Sequence, residues 1–452
     1  MSTFDLIVRN GTVVTSHDPQ RADIGIANGK IAEVQPNLIG QAKDAIDATG
    51  LHIFPGLIDS HVHFNDPGRA EWEGIETGSR ALAAGGGTLF FDMPLNAHPP
   101  TVNREAFDQK LAAAQRSSLV DFALWGGLVP DNLDHLEELA ERGVIGFKAF
   151  MSNSGIEDFP CVDDRTLREG MKRAAKLKKI VAVHAESEPI TAELTQKKLA
   201  QGAGSIRDYL DSRPLHAELD AIERALEMAG ETGCALHIVH VSCGSAIALI
   251  ASARRNGVNV SCETCPHYLV LTEEDMERIG ALAKCAPPLR EKPCRESLWK
   301  YFEANQIDTI GSDHSPAPPD MKQSENFFKV WGGISGVQHT LPLLLSEGHL
   351  SRRLALPLIS RLVTHNVAER FDLPPEKGSI TFHADADLAL VDLNGSFQVE
   401  SDELFYRHKQ TPYAGRKLTG KVMRTILRGQ TVFKDGKIVS KSVGQLVKPV
   451  YD

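Results

Sequence analysis

Polar and apolar positions alternate in short runs at both ends of the chain and give way to a different rhythm between them. FDLIVR, TVVTS, IGIA and KIAEV, all within the first fifty residues, have the two-residue period of half-buried strands. Asn10-Gly11 and Asn28-Gly29 between them are hairpin signals, because Asn-Gly adopts the positive φ that tight turns require. Near the end the same idiom returns as ADLALVDL, TILRG, TVF and KIVS, and Asp435-Gly436-Lys437-Ile438 echoes Asn28-Gly29-Lys30-Ile31. Neither terminal piece has enough strands to bury a core alone. The pattern predicts one small, discontinuous β-sandwich domain assembled from residues 1–54 and 372–452.

Residues 55–371 alternate apolar, strand-like runs with helical stretches such as HLEELAER, ELDAIERALEMA and SAIALIASARR. The runs are GLIDSHVHF, GTLFFDMP, VDFALWGGL, GVIGFKAF, IVAVHAE, CALHIVHVS, VNVSCETCP and IDTIGSDHS, eight in all. Strands buried on both faces and separated by helices form a parallel sheet, and eight such units over roughly 300 residues fit a closed (β/α)8 TIM barrel, with an open doubly wound sheet as the alternative. The fold class is α/β. Several runs end in His, Lys, Asp or Glu, and the C-terminal ends of barrel strands are where catalytic groups collect.

At 452 residues with 42% hydrophobic and 24% charged positions, the chain is long enough for one large domain and a smaller partner, and it is not of disordered or fibrous composition. Forty-nine basic against 59 acidic residues leave a net charge of −10, which argues against a nucleic-acid partner. Seven cysteines, an odd number in a chain that needs no disulfides, suggest a reducing compartment. No basic segment followed by an apolar one opens the sequence, and no long uninterrupted apolar stretch is present. The expectation is a soluble, cytoplasmic protein without a membrane partner.

In Asp59-Ser60-His61-Val62-His63 the two imidazoles fall on one face of a strand, a half-site for a divalent metal. His184 and His240 end the fifth and sixth runs. His237, three residues before His240, is expected on the opposite side of its strand, facing the helices. Asp313 ends the eighth run and offers a carboxylate that can bind metal and take a proton; its neighbour His314 cannot face the same centre. Lys148 is the one ionisable side chain of the fourth run. Either its amine reaches the barrel mouth, or it is neutral through burial and captures carbon dioxide as a carbamate that bridges two metals. Two divalent cations against the carbamate, Asp313 and a bridging hydroxide leave one net positive charge, which favours hydroxide near neutral pH.

DSHVHFNDPG, DMPLN, GFKAF, VHAES, HVS, CPHY, KCAPPLR and SDHSP, in this order, resemble the cyclic-amidohydrolase branch of the amidohydrolase superfamily, which includes dihydroorotases, hydantoinases and allantoinases. The resemblance covers nearly the whole chain. Within the branch, PGRAEWEGIETGSRALAAGGGT, SDHSPAPPDMK, WGGISGVQ and FYRHKQTPYAGR are most similar to the allantoinase group. The resemblance implies His61, His63, carboxylated Lys148 and Asp313 on one metal ion, and Lys148, His184 and His240 on a second. It also implies Asp313 as general base and then acid, allantoin as substrate, and a homotetramer. Zinc, iron, cobalt and manganese all suit the ligands. Dihydroorotases carry an arginine two residues after the HxH pair to meet a substrate carboxylate; Asn65 stands there, which fits a ring without one. Ala185 replaces a frequent Cys, and Cys243 lies in a usually variable loop. Asn96 and Ser315 match positions near the substrate, while Asn96 also reads as a turn residue after Pro94.

Other signals carry less. Cys262-Glu263-Thr264-Cys265 has zinc-knuckle spacing, but no second CxxC follows and it falls inside a barrel run. Gly85-Gly86-Gly87 lacks phosphate-loop spacing and reads as a helix-to-strand turn. Glu71, Glu73 and Glu76 read as a solvated helix face.

Overall fold

The computed structural model describes residues 2–15 and 18–450. Eight parallel strands form the barrel: β1 Leu57–Val62, β2 Gly87–Asp92, β3 Asp121–Leu124, β4 Phe147–Phe150, β5 Val181–His184, β6 Leu236–Ile238, β7 Val260–Thr264 and β8 Thr309–Ile310. They are hydrogen-bonded in chain order, with β3 resuming after Trp125 as Gly126–Gly127 to reach β4. A parallel bridge between Val62 and His314 closes the ring. Each of the eight apolar runs supplies one strand.

Helices form where apolar spacing and end chemistry agree. In Asp164–Lys176 the Asp163 carboxylate accepts from Thr166 N at 2.7 Å, and Leu167, Met171 and Ala174 line the buried stripe. Leu136–Arg142 ends at Gly143, whose φ of 92° is left-handed and suits glycine. Gly85 and Gly86 turn the helix Ile75–Ala84 into β2 as expected. Outward strand residues such as Phe90, Phe122, Phe147 and Val181 pack with helix residues such as Phe107, Leu167 and Ile222. Inward residues Leu89, Phe91, Ala123, Ile145 and Ala182 fill the barrel. Phe371 plugs the end away from the strand C-termini, edge-on to Phe91 and Trp125.

Both chain ends join in one sheet of nine strands. Its joint is the antiparallel pairing of His52–Pro55 with Leu388–Gln398, and a core of Val8, Ile24, Ile53, Leu388, Leu390 and Ile426 makes the β-sandwich. Asn28-Gly29 and Asp435-Gly436 are hairpin turns, each with positive φ at both residues. Asn10-Gly11 is not a turn. It lies inside one strand, Ser2–Val13, as a bulge: Asn10 has φ 63°, and a Cβ on Gly11 would stand 2.4 Å from Ile53 Cδ1. The positive φ at Asn10, which sequence reads as a reversal, bulges the strand instead, and the adjoining Gly11 lets Ile53 pack close. Lys377, at the sandwich border, meets Asp121 of β3 at 2.7 Å and Asp385 and Asp387 at 2.8 Å each.

Candidate metal centre

β1 delivers His61, and His63 follows one residue past its end. Their Nε2 atoms lie 3.3 and 3.4 Å from Asp313 Oδ1, and the three residues offer ligand atoms within 4.8 Å of one another. Asp313 follows β8 with φ 46°, a left-handed value rare for a residue with a side chain. The kink separates it from His314, whose Nδ1 instead accepts from Gly336 N at 3.1 Å. β5 ends on His184, and its Nδ1 stands 3.0 Å from His240 Nε2. The His61 and His240 ring centroids are 5.5 Å apart, so the two histidine pairs share one space. From β4, Lys148 is fully buried and its Nζ has no hydrogen-bond partner. It lies over Phe150, 5.2 Å from the ring centroid, and that ring stacks on His184.

Burial sets the protonation of this group. It lowers the Lys148 amine to about 7, although Asp313 and Glu263 oppose it. Burial also lowers His63 and His184, and takes His240 well below the imidazole range, with His184 and Lys148 adding repulsion. For Asp313 burial would raise the carboxyl, but His61 and His63 outweigh it and hold it at about 2. The imidazoles of His63, His184 and His240, which burial favours as neutral, an ionised carboxylate and an unpartnered buried amine in one pocket form a donor set that fits divalent ions.

A supporting layer escapes sequence reading. Glu263 Oε1 accepts from His61 Nδ1 at 2.8 Å and leaves Nε2 free to face the centre. Glu186 accepts from His184 Nε2 at 2.9 Å and pairs closely with Arg213. Asp59 accepts from the backbone N of His61 and Ser312 at 3.1 and 3.0 Å, tying β1 to the end of β8. Glu186 carried a signal, two residues after His184 in VHAES. Glu263 lay inside the CETC run and had none beyond strand alternation.

Two expectations need correction. His237 does not face the helices: in parallel register with Ala182 and Ser261 it points into the barrel, with Nδ1 2.7 Å from Ser261 Oγ. Counting alternation through to His240 fails because β6 stops at Ile238 and His240 has φ 41°. Glu73 is not solvated either; it is buried, accepts from Arg407 N at 3.2 Å and faces His314.

Above the centre opens a cavity of about 730 Å³, with His61, His63, His184, His240 and Asp313 among its lining residues. Asn96 and Ser315 stand in its wall, Asn96 Nδ2 3.4 Å from His63 Nδ1. Asn65 is buried beside it, 3.5 Å from Pro316 O. Arg213 also lines the cavity, with its charge met by Glu186, and Lys284 Nζ donates to the carbonyls of Phe327 and Val330.

A closed parallel barrel with a histidine and carboxylate cluster at the C-terminal mouth and a substrate-sized cavity above it is the architecture of a barrel metalloenzyme. The chain belongs to the amidohydrolase family, whose model matches residues 52–432. It is 55% identical to an allantoinase of Rubrobacter xylanophilus over 449 residues, covering 99% of this chain and 98% of that one. An allantoinase of Deinococcus radiodurans is 52% identical over 447 residues, 99% of each chain. Among solved structures, the L-hydantoinase (dihydropyrimidinase) of Arthrobacter aurescens superposes with a TM-score of 0.96 at 35% identity, covering 98% of this chain and 100% of that one.

Proposed function

We propose that this enzyme is an allantoinase, opening the hydantoin ring of allantoin at its cyclic amide to give allantoate. The observation that carries the reading is the near full-length identity of 55% to an allantoinase, in a chain that carries Asn65 rather than an arginine two residues after the HxH pair. Arg213 does not substitute for that cation, since Glu186 answers its charge. His61, His63 and Asp313 would hold one divalent ion, zinc first and iron, cobalt or manganese as alternatives, and His184 and His240 a second. Lys148, carboxylated on Nζ, would join the two. Bound divalent ions supply Lewis acidity and bring the pKa of water toward about 7.

Asp313 takes a proton as the oxygen of water adds to the ring carbonyl carbon, and returns it to the ring nitrogen as the C–N bond breaks. Asn96 and Ser315 hydrogen-bond the ring carbonyl and ureido groups. The protein acts in the cytoplasm, as a homotetramer; among the described residues no helix is long and apolar enough to cross a membrane. We assign residues 1–54 with 372–452 to the sandwich domain and 55–371 to the catalytic barrel. A parallel assay on allantoin, hydantoin, dihydrouracil and dihydroorotate tests the substrate. Allantoin is expected to be turned over fastest; fastest turnover of any other ring overturns the reading in favour of a hydantoinase, dihydropyrimidinase or dihydroorotase.

A further inference from the structure

A line of polar side chains runs through the interior of the barrel, from the metal centre to the opposite end. On β7, strand alternation turns Ser261 and Glu263 inward and Cys262 toward the helices. His237 of β6 is in register with Ser261, and its ring lies with Nδ1 2.7 Å from Ser261 Oγ and Nε2 3.8 Å from Glu263 Oε2. All three side chains are buried, and Phe371 stands edge-on to the His237 ring at 5.2 Å. Arg370, the last residue of the helix His365–Arg370, brings its Nε to 2.5 Å from Ser261 Oγ. It also lines a second cavity, of about 430 Å³, at the end that Phe371 plugs.

Counting protons fixes the direction of each hydrogen bond. A guanidinium only donates, so Ser261 Oγ accepts from Arg370. The single hydroxyl proton of Ser261 then goes to His237 Nδ1, because Leu236 O is 3.5 Å away and already accepts from Arg370 at 2.7 Å. Burial lowers His237 from the usual imidazole value, which leaves the ring one proton. With Nδ1 accepting, that proton sits on Nε2, which faces Glu263 and has no hydrogen-bond partner of its own among the described residues. Glu263 Oε2 accepts from Ser60 Oγ at 2.6 Å, and Oε1 from His61 Nδ1 at 2.8 Å. Gly311 leaves the room for this carboxylate, since a Cβ there would stand 2.4 Å from Oε2.

We propose that Arg370, Ser261 and His237 are positioning residues for the metal centre: a one-way chain of donors, begun by a guanidinium at the far end of the barrel, presents the His237 Nε2 proton to Glu263 and keeps that carboxylate aimed at His61. The proposal rests on the reading of His61 as a metal ligand. Without Arg370 the Ser261 hydroxyl is free to accept from Nδ1, and the ring can then turn a bare lone pair toward the carboxylate, which repels it.

Solid-state NMR of the metal-free enzyme carrying 15N-labelled histidine reads the tautomer, with the His237 signals assigned by their loss in His237→Gln. The parent is expected to carry the proton on Nε2, and Arg370→Met to share it between both nitrogens. Chelator competition should show metal affinity about 3- to 10-fold lower in Arg370→Met and in Ser261→Ala, less than the loss of a direct partner of the ligand, and no lower in the double variant, because both act through one chain. A parent with the proton on Nδ1 overturns the proposal, and this measurement needs no variant of Arg370 or Ser261 to fold. Metal held within about twofold as tightly by the folded variants as by the parent overturns it alone. A parent that binds no divalent ion defeats the metal reading and the proposal with it.

Discussion

Glu186→Gln removes one charge from the layer beneath the metal centre and leaves the side chain's shape almost unchanged. The Glu186 carboxylate is fully buried between His184 Nε2, at 2.9 Å, and the Arg213 guanidinium. Burial alone would raise its carboxyl, but Arg213 and His184 hold it at about 2 instead of 4.5. That difference is worth roughly 3 kcal/mol in favour of the charged form. The amide forfeits it and also strands Arg213 without a counterion in a largely buried place. The metal-free variant should therefore lose about 3 kcal/mol of stability at pH 7 by urea denaturation. A folded pKa below the unfolded one means this contribution is whole above pH 4.5 and fades as pH falls toward 2, so the gap between the two proteins narrows across that window. Chelator competition should show metal affinity reduced about 10- to 100-fold, because the amide no longer orients the His184 ring with full charge. A variant within about 0.5 kcal/mol of the parent at pH 7, with unchanged metal affinity, refutes the reasoning.

Other substitutions probe separate parts. Asp313→Asn should cut kcat by about 10²-fold or more while substrate binding changes little; equal turnover ends the acid–base assignment. Lys148→Ala should remove metal and activity together, with short carboxylic acids restoring part of both; metal analysis and turnover in one preparation decide it. Gly333→Ala would place a Cβ 2.1 Å from Ser315 O at a φ of 134°, so the cavity wall must shift and KM should rise more than kcat falls. Lys377→Met leaves Asp121, Asp385 and Asp387 buried without their shared cation, for a loss of about 3–5 kcal/mol by denaturation; an unaffected midpoint contradicts the clamp.

Local pattern made the barrel legible. A strand covered on both faces is apolar along its length, and each of the eight runs became a strand with its polar residues gathered at or beyond one end. His61 and His63 were readable as a pair because strand alternation fixes their common face. The same rule misplaced His237, because alternation holds only while the strand lasts and β6 ends at Ile238. Asn10-Gly11 misled for a related reason: positive φ is a local property, but whether it reverses the chain or bulges it depends on strand pairing, and here the strand Ser2–Val13 stays paired with Gln20–Ala27 on both sides of the bulge.

Sequence by itself determined which side chains exist to do chemistry and the local backbone that carries them: the eight strands, the capped helices and the two hairpin turns. Tertiary structure decided their charge and company. Glu263 reaches His61 across 202 positions, and Glu186 reaches Arg213 across 27, contacts that no spacing rule encodes. Lys148 is an ordinary lysine in the sequence and becomes a buried amine without a partner only when the barrel closes around it. The physical reason is that protonation and pairing depend on distance and on exclusion of water, and both are set by chain segments far apart until the fold brings them together.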